Sequence, residues 1–142
     1  ERVGCPHVRR ANGSRRFNQM SNIANEIRLA YGSTLMDDGY TLWNDGKTRL
    51  KGFIVGGVTH ESMCDRGDVI EFARLFDEYK DLMEEDSSMH LGLGTWVHGG
   101  QIHFDIVELF DTESGAIWKC KHRGEKAYYD IANSKSIYIN NQ

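Results

Sequence analysis

The segment LGLGTWVHGGQIHFDIVELFD, residues 91–111, contains the pair of residues in this chain best suited to acid–base chemistry. His103 and Asp105 lie two positions apart, and because side chains alternate along a strand, they share one face of it. A carboxylate that orients an imidazole is the arrangement that a general base requires. The serines and Cys64 lie in other segments, so no nucleophile accompanies the pair. We favour a strand with polar residues between apolar ones, and a small hydrolase centred on this hairpin is one alternative.

Two Cys-x-His pairs raise the question of zinc: Cys5 with His7, and Cys120 with His122. Structural zinc sites usually leave two or more residues between paired ligands, so a one-residue gap is atypical. Cys120 also falls on the inward stripe of a predicted helix, where a small buried thiol needs no metal. The glycine-rich segments lack the Gly-Lys-Ser/Thr of a phosphate loop. We therefore expect no metal and no cofactor.

The charge of the chain is unevenly distributed. Residues 1–16 hold five arginines against one glutamate, a net charge of +4, so the remainder carries −8 of the total of −4. This asymmetry predicts a basic, extended arm over residues 1–16 on an acidic body. Arginine binds phosphate in bidentate fashion, so the arm offers a second alternative function, nucleic-acid binding. The arginines that would carry it are Arg9, Arg10, Arg15 and Arg16.

An acidic segment lies in the middle of the chain. From Glu61 to Asp86 the sequence has ten acidic residues against three basic ones. Most of the acidic residues fall on the outer face of a predicted helix, where they could occupy a basic site on a partner. A solvated helix face is the simpler interpretation. The candidate protein-binding residues are Glu71, Asp77, Glu78, Asp81 and Glu84.

Length and composition indicate an ordinary globular domain. The chain has 142 residues, of which 39% are hydrophobic and 27% charged. No apolar run approaches the roughly 20 residues that span a bilayer, so we expect no membrane partner. Three cysteines cannot all pair within one chain, which favours a reducing cytoplasm. We expect a single domain over residues 17–142.

Three helices are predicted from apolar spacing and end signals. An apolar residue every third or fourth position predicts a helix over residues 17–31, with Gly32 as its stop. Asp68 and Glu71 resemble a capping box for a long helix ending near residue 85. Asp111 or Thr112 is expected to cap a short helix that runs over residues 113–123 to Gly124.

Strands are predicted in pairs around these helices. The segments are residues 40–43, 51–58, 93–97, 102–109, 127–131 and 136–139. Gly99 and Gly100 can adopt the positive φ angles of a hairpin turn between the two middle strands. Apolar residues on both faces of residues 102–109 favour a central position in the sheet. The predicted fold is α+β, with a mixed or antiparallel sheet of about six strands and two to three helices.

The second half of the chain contains Leu-Gly-Thr-Trp at 93–96, a glycine turn, Phe-Asp-Ile-Val at 104–107 and Glu-Lys-Ala-Tyr-Tyr-Asp at 125–130. This series of motifs resembles that of a family of small phage and mobile-element proteins. It covers roughly residues 68–139, and Glu125 stands where the family usually carries glutamine. The resemblance implies a viral or mobile-element origin. It implies no catalytic residue.

These observations together predict a small non-enzymatic accessory protein of a phage or mobile element. We expect it to bind a macromolecular partner, a host protein, in the cytoplasm of an infected cell. The acidic helix face and the exposed hairpin are the expected contact surfaces.

Overall fold

The fold of this chain is α+β, in a computed structural model that describes residues 13–86 and 90–140, with side chains from residue 25. Within these residues the chain forms three helices: α1, Gly13–Asp37; α2, Val69–Glu84; and α3, Glu113–Arg123. The strands are β1, Gly39–Trp43; β2, Phe53–Val55; β3, Ser62–Asp65; β4, Leu91–His98; β5, Gln101–Phe110; β6, Ala127–Asp130; and β7, Lys135–Tyr138. None of the described helices is both long and apolar enough to cross a bilayer.

The seven described strands form one sheet, and every pairing in it is antiparallel. The order along the sheet is β1-β4-β5-β2-β6-β7, and β3 also pairs with β5, beside the hairpin end of that strand. The predicted turn joins β4 to β5, with positive φ at both Gly99 and Gly100. β5 is therefore central, as its two apolar faces predict.

All three described helices pack on the same face of the sheet. The pairing register places Thr95, Phe104, Ile106 and Val55 on this face. α1 bonds to it through the Thr34 hydroxyl, whose oxygen lies 2.6 Å from that of Thr95. α2 buries its apolar stripe against β4 and β5, and α3 packs on β2 and β6. The core is thus a single layer between helices and sheet.

Two helix ends match the signals in the sequence. The Asp68 side chain accepts a hydrogen bond from the Glu71 N–H at the start of α2. Thr112 accepts one from the Gly115 N–H at the start of α3. Gly124 ends α3 in the left-handed region at φ 72°, where its N–H bonds the last turn. A residue without Cβ adopts this conformation at least cost.

α1 extends beyond both predicted ends. It begins at Gly13, four residues before the predicted start at residue 17. It also continues through Gly32, because the next turn is held by tertiary contacts: Thr34 is fully buried and bonds both Ala30 and Thr95. The helix ends at Asp38, a non-glycine residue at φ 65°. Such contacts routinely override the weak helix propensity of glycine.

The sheet has one strand more than predicted, and β2 is shorter. β3, Ser-Met-Cys-Asp, has too few strand-forming residues to stand out, and its pairing with β5 alone defines it. β2 covers only residues 53–55 of the predicted 51–58, because Gly56 and Gly57 end it. Both glycines lie against carboxyl groups, as described below.

We predict that Gly32→Ala stabilises the protein. A Cβ at Gly32 meets no atom within 4 Å, and alanine is the better residue in a helix interior, so the free energy of unfolding should rise by about 0.5–1 kcal/mol. Gly124→Ala is the matched control and should lower it by about 1 kcal/mol, because φ is positive there. Urea denaturation measures both, and a loss at Gly32 would mean that α1 ends there.

Candidate functional site

The second face of the sheet carries no described helix, and glycines form much of its floor. By register, Gly94 on β4 lies opposite Asp105 on β5, and Gly39 on β1 lies opposite Trp96, all on this face. Gly94 leaves room for Val107, whose Cγ1 would lie 3.3 Å from a Cβ there. The absence of side chains on neighbouring strands lowers the floor, so a cleft of about 900 Å³ opens above it.

Acidic side chains form part of the lining of the cleft. Of the described residues that line it, none is Lys, Arg or His. Trp96 and Tyr129 add aromatic surface. Fixed negative charge in a cleft with low-dielectric walls attracts cations and repels anions. The acidic residues are Asp37, Asp38, Glu61, Asp105 and Glu125.

Asp105 is the least exposed of these carboxyls, with 3% of its surface accessible. Its Oδ2 accepts a hydrogen bond of 3.1 Å from the Gly57 N–H, whereas its Oδ1 has no hydrogen-bond partner. Burial, together with the nearby charges of Glu61 and Glu125, raises the pKa of Asp105 to about 7. This group therefore changes charge near neutral pH, which an exposed aspartate does not.

Glu125 is brought beside Asp105 by the end of α3. The left-handed turn at Gly124 reverses the chain, and the Glu125 N–H bonds the Cys120 carbonyl at 2.9 Å. A Cβ on Gly56 would lie 2.5 Å from Asp105 Oδ2 and 3.4 Å from Glu125 Oε1, so those two oxygens are no farther apart than the sum of these distances. Burial first, and then the charge of Glu61, raises the pKa of Glu125, with Arg123 acting against them.

Arg123 holds the glycine turn under these carboxyls from the helix side of the sheet. Its guanidinium donates to the Gly56 carbonyl at 3.1 Å and to Glu108 Oε1 at 2.5 Å. Both side chains of the ion pair are only 14% exposed. The pair thus ties α3 to β5 and to the end of β2, which fixes the backbone that binds Asp105.

His103 and Asp105 share a face of β5, as predicted, but they do not form a catalytic pair in this geometry. Asp105 bonds the Gly57 N–H, and the His103 ring stacks on Trp96 with centroids 5.4 Å apart. His103 Nδ1 has no hydrogen-bond partner and lies 3.7 Å from Glu61 Oε1. Asp105 therefore does not orient the imidazole.

The acidic face of α2 is where the sequence predicts it, but part of its charge is paired. Arg74 lies on the same face and bonds Glu71 at 2.6 Å and Glu78 at 3.3 Å. All three side chains are substantially exposed, so these pairs contribute little stability. Asp77 and Glu84 are exposed, and Asp81 is half-buried. The face remains acidic, with Arg74 offsetting part of the negative charge of Glu71 and Glu78.

The remaining predicted residues fall elsewhere. Arg9, Arg10 and the Cys5–His7 pair lie outside the described residues. Cys120 is fully buried on the inward face of α3, as its place on the apolar stripe predicts. Its partner in sequence, His122, stacks instead on the exposed ring of Trp118. Within the part of the chain that the structure describes, no three His, Cys, Asp or Glu residues are grouped as a metal site.

Sequence reasoning did not identify the carboxyl cluster of the cleft. Glu61 precedes β3, Asp105 lies on β5 and Glu125 follows α3, so no local spacing connects them. The pair Gly56-Gly57, which reads as a strand bend, was the one available signal. These two glycines also leave room for the side chains of Asp105 and Glu125, but this is visible only in the folded structure.

No family model, curated protein or solved structure matches this chain. Any inference about function must therefore rest on the chemistry of the cleft and of the charged surfaces.

We predict that Asp105→Asn gains stability over the wild type as the pH rises. Below about pH 4 the carboxyl is protonated in both the folded and the unfolded state. Between about pH 4 and the folded-state pKa of about 7, only the unfolded state ionises, which destabilises the wild type. The advantage of the variant should grow by up to about 4 kcal/mol between about pH 4 and pH 8.

Chemical denaturation at the two pH values measures this gain. Asp77→Asn, on the exposed face of α2, is the control and should stay within about 0.5 kcal/mol of the wild type at both. An Asp105→Asn advantage that is the same at both pH values would contradict the assignment of a buried, protonated carboxyl.

We also predict that Arg123→Met is strongly destabilising, because it leaves Glu108 largely buried without its cation. The loss should be about 3 kcal/mol, against less than about 1 kcal/mol for Arg74→Met in the exposed pairs of α2. Adding Glu108→Gln to Arg123→Met should recover part of the loss. Equal losses for the two arginine variants would contradict a structural role for Arg123.

Proposed function

We propose that this protein is a non-enzymatic binding protein whose partner is a basic protein. The observation that carries the proposal is the cleft on the helix-free face, which five carboxyl residues line and no described basic residue lines. Acidic residues on the outer face of α2 add a second negative surface. A partner with a positive patch would be steered to both surfaces and would gain specificity from complementary charge.

The resemblance to small phage and mobile-element proteins supports a host protein as this partner. Such a protein would act in the cytoplasm of the infected cell. An acidic protein surface can imitate the phosphates of nucleic acid and so occupy a basic site on another protein. The proposal therefore extends to partners whose basic surface normally faces nucleic acid.

The two alternatives have less support. Negative charge on the cleft and on α2 repels phosphate, so nucleic-acid binding would depend on basic residues outside these two surfaces, such as the N-terminal arginines. A hydrolase would need a positioned base, and the Asp105 carboxyl bonds a backbone N–H instead of the imidazole of His103. Both remain predictions from the sequence.

Fluorescence anisotropy with labelled probes tests the proposal on the full chain. The probes are a peptide rich in lysine and arginine, a glutamate-rich peptide of equal length, and a DNA oligonucleotide. We expect the basic peptide to bind tightest and to lose affinity as salt is raised, because screening weakens exposed charge pairs. Equal or tighter binding of DNA or of the glutamate-rich peptide would overturn the proposal.

Charge reversal on α2 tests whether that face contributes. A variant with lysine at Asp77, Glu78, Asp81 and Glu84 should bind the basic peptide about tenfold more weakly if the face is part of the interface. The matched variant with asparagine or glutamine at the same positions should lose less. Unchanged affinity in both would restrict the binding surface to the cleft.

A further inference from the structure

We propose that the cleft on the helix-free face of the sheet is a receptor for an arginine side chain of the partner, with Asp105 as its innermost contact. The inference rests on the proposed function and names the group that the partner inserts. It is argued from three properties of the site: a buried acceptor without a donor, a local excess of carboxyls, and aromatic surface at the opening.

The first property is the unpartnered Oδ1 of Asp105. The side chain is 3% exposed and lines the cleft, and its other oxygen is held by the Gly57 N–H. A buried acceptor without a donor is unfavourable, and buried polar atoms in native proteins are seldom left so. The Gly57 bond fixes Oδ2 and with it the orientation of the carboxyl, so Oδ1 is the acceptor that a donor from the cleft would have to reach.

The second property is the sign of the surrounding charge. Glu125 lies beside Asp105 above Gly56, and Glu61 is close enough to raise the pKa values of both. A neutral donor would satisfy Oδ1 but would not offset the charge of an ionised Asp105. A cationic side chain supplies both a hydrogen-bond donor for Oδ1 and a positive charge that offsets the negative charge of this partly buried site.

The third property distinguishes arginine from lysine. Guanidinium is planar, carries five N–H donors in a fixed fork, and is less strongly hydrated than ammonium. It can therefore donate to two neighbouring carboxyls at once. Its flat faces also stack on aromatic rings, which Trp96 and Tyr129 supply along the cleft. A cleft of about 900 Å³ accommodates the side chain together with its flanking backbone.

Binding of a cation should release a proton. Because the pKa of Asp105 is about 7 without a ligand, much of the carboxyl is protonated at neutral pH, whereas the bound cation favours the ionised form. Affinity should therefore rise about tenfold from about pH 6 to about pH 8. Other charged or titratable groups surround Asp105. They are Glu61, Glu125, Arg123 (whose charge acts on Glu125), His103 on the same strand, the Tyr79 hydroxyl, and Asp37 and Asp38 in the cleft lining.

The test is an amide NMR titration of the full chain with capped tripeptides Gly-Arg-Gly, Gly-Lys-Gly and Gly-citrulline-Gly. Citrulline has the shape of arginine without its charge. We expect shifts at Gly57, Gly94 and Trp96, with arginine binding tightest, lysine weaker and citrulline weakest. Asp105→Asn should weaken arginine binding about tenfold and remove most of its rise between about pH 6 and about pH 8. Glu125→Gln should weaken it less, and Asp77→Asn on α2 should leave it unchanged.

Several outcomes would overturn the inference. If the citrulline or lysine peptide bound as tightly as the arginine peptide, the cleft would not be selective for guanidinium. If the arginine peptide shifted only amide signals of α2, the binding site would lie there and not in the cleft. Retained binding in a folded Asp105→Asn variant would remove its central contact. In each of these cases the basic peptide of the preceding test can still bind, so the proposed function would stand. If no basic probe binds anywhere on the chain, the proposed function falls as well.

Discussion

The alternation of side chains along β5 is the constraint on which the rest of the structure depends. This strand pairs with β4 on one side and with β2 and β3 on the other, so its two faces set the two faces of the whole sheet. Ile102, Phe104 and Ile106 form the floor of the core under α2. A shift of one residue in register would exchange them with His103 and Asp105 and bury polar groups in the core.

The packing of all three described helices on one face leaves the other face to be shaped by its own side chains. Three positions on that face have no side chain, because Gly39, Gly92 and Gly94 lie on the neighbouring strands β1 and β4. Where a large residue does lie there, a glycine makes room for it: a Cβ on Gly92 would meet the Trp43 ring at 2.8 Å. The space that glycines leave on this face also forms the acidic cleft around Asp105.

The two negative surfaces of the molecule differ in kind. On α2 the carboxyls are exposed, and Arg74 pairs with two of them, so their charge is screened by solvent and partly neutralised. In the cleft, Asp105 is buried, and its one hydrogen bond comes from a neutral backbone N–H. A buried carboxyl interacts more strongly with a cation than an exposed one, because the local dielectric is lower. A cation in the cleft would therefore interact more strongly with the carboxyls than a cation at the surface of α2 would.

Local chemistry in the chain was sufficient to predict the α+β class, α2 and α3 with their caps, the Gly99-Gly100 turn and the central position of β5. Each of these depends on residues near one another in sequence. The continuation of α1 through Gly32 depends on Thr34 meeting Thr95, and β3 exists because β5 is there to pair with it. The carboxyl cluster is the feature that could least be predicted from the sequence. Its three members come from segments far apart in the chain, and the buried state that raises the pKa of Asp105 arises only when the sheet, the glycine turn and the end of α3 enclose it.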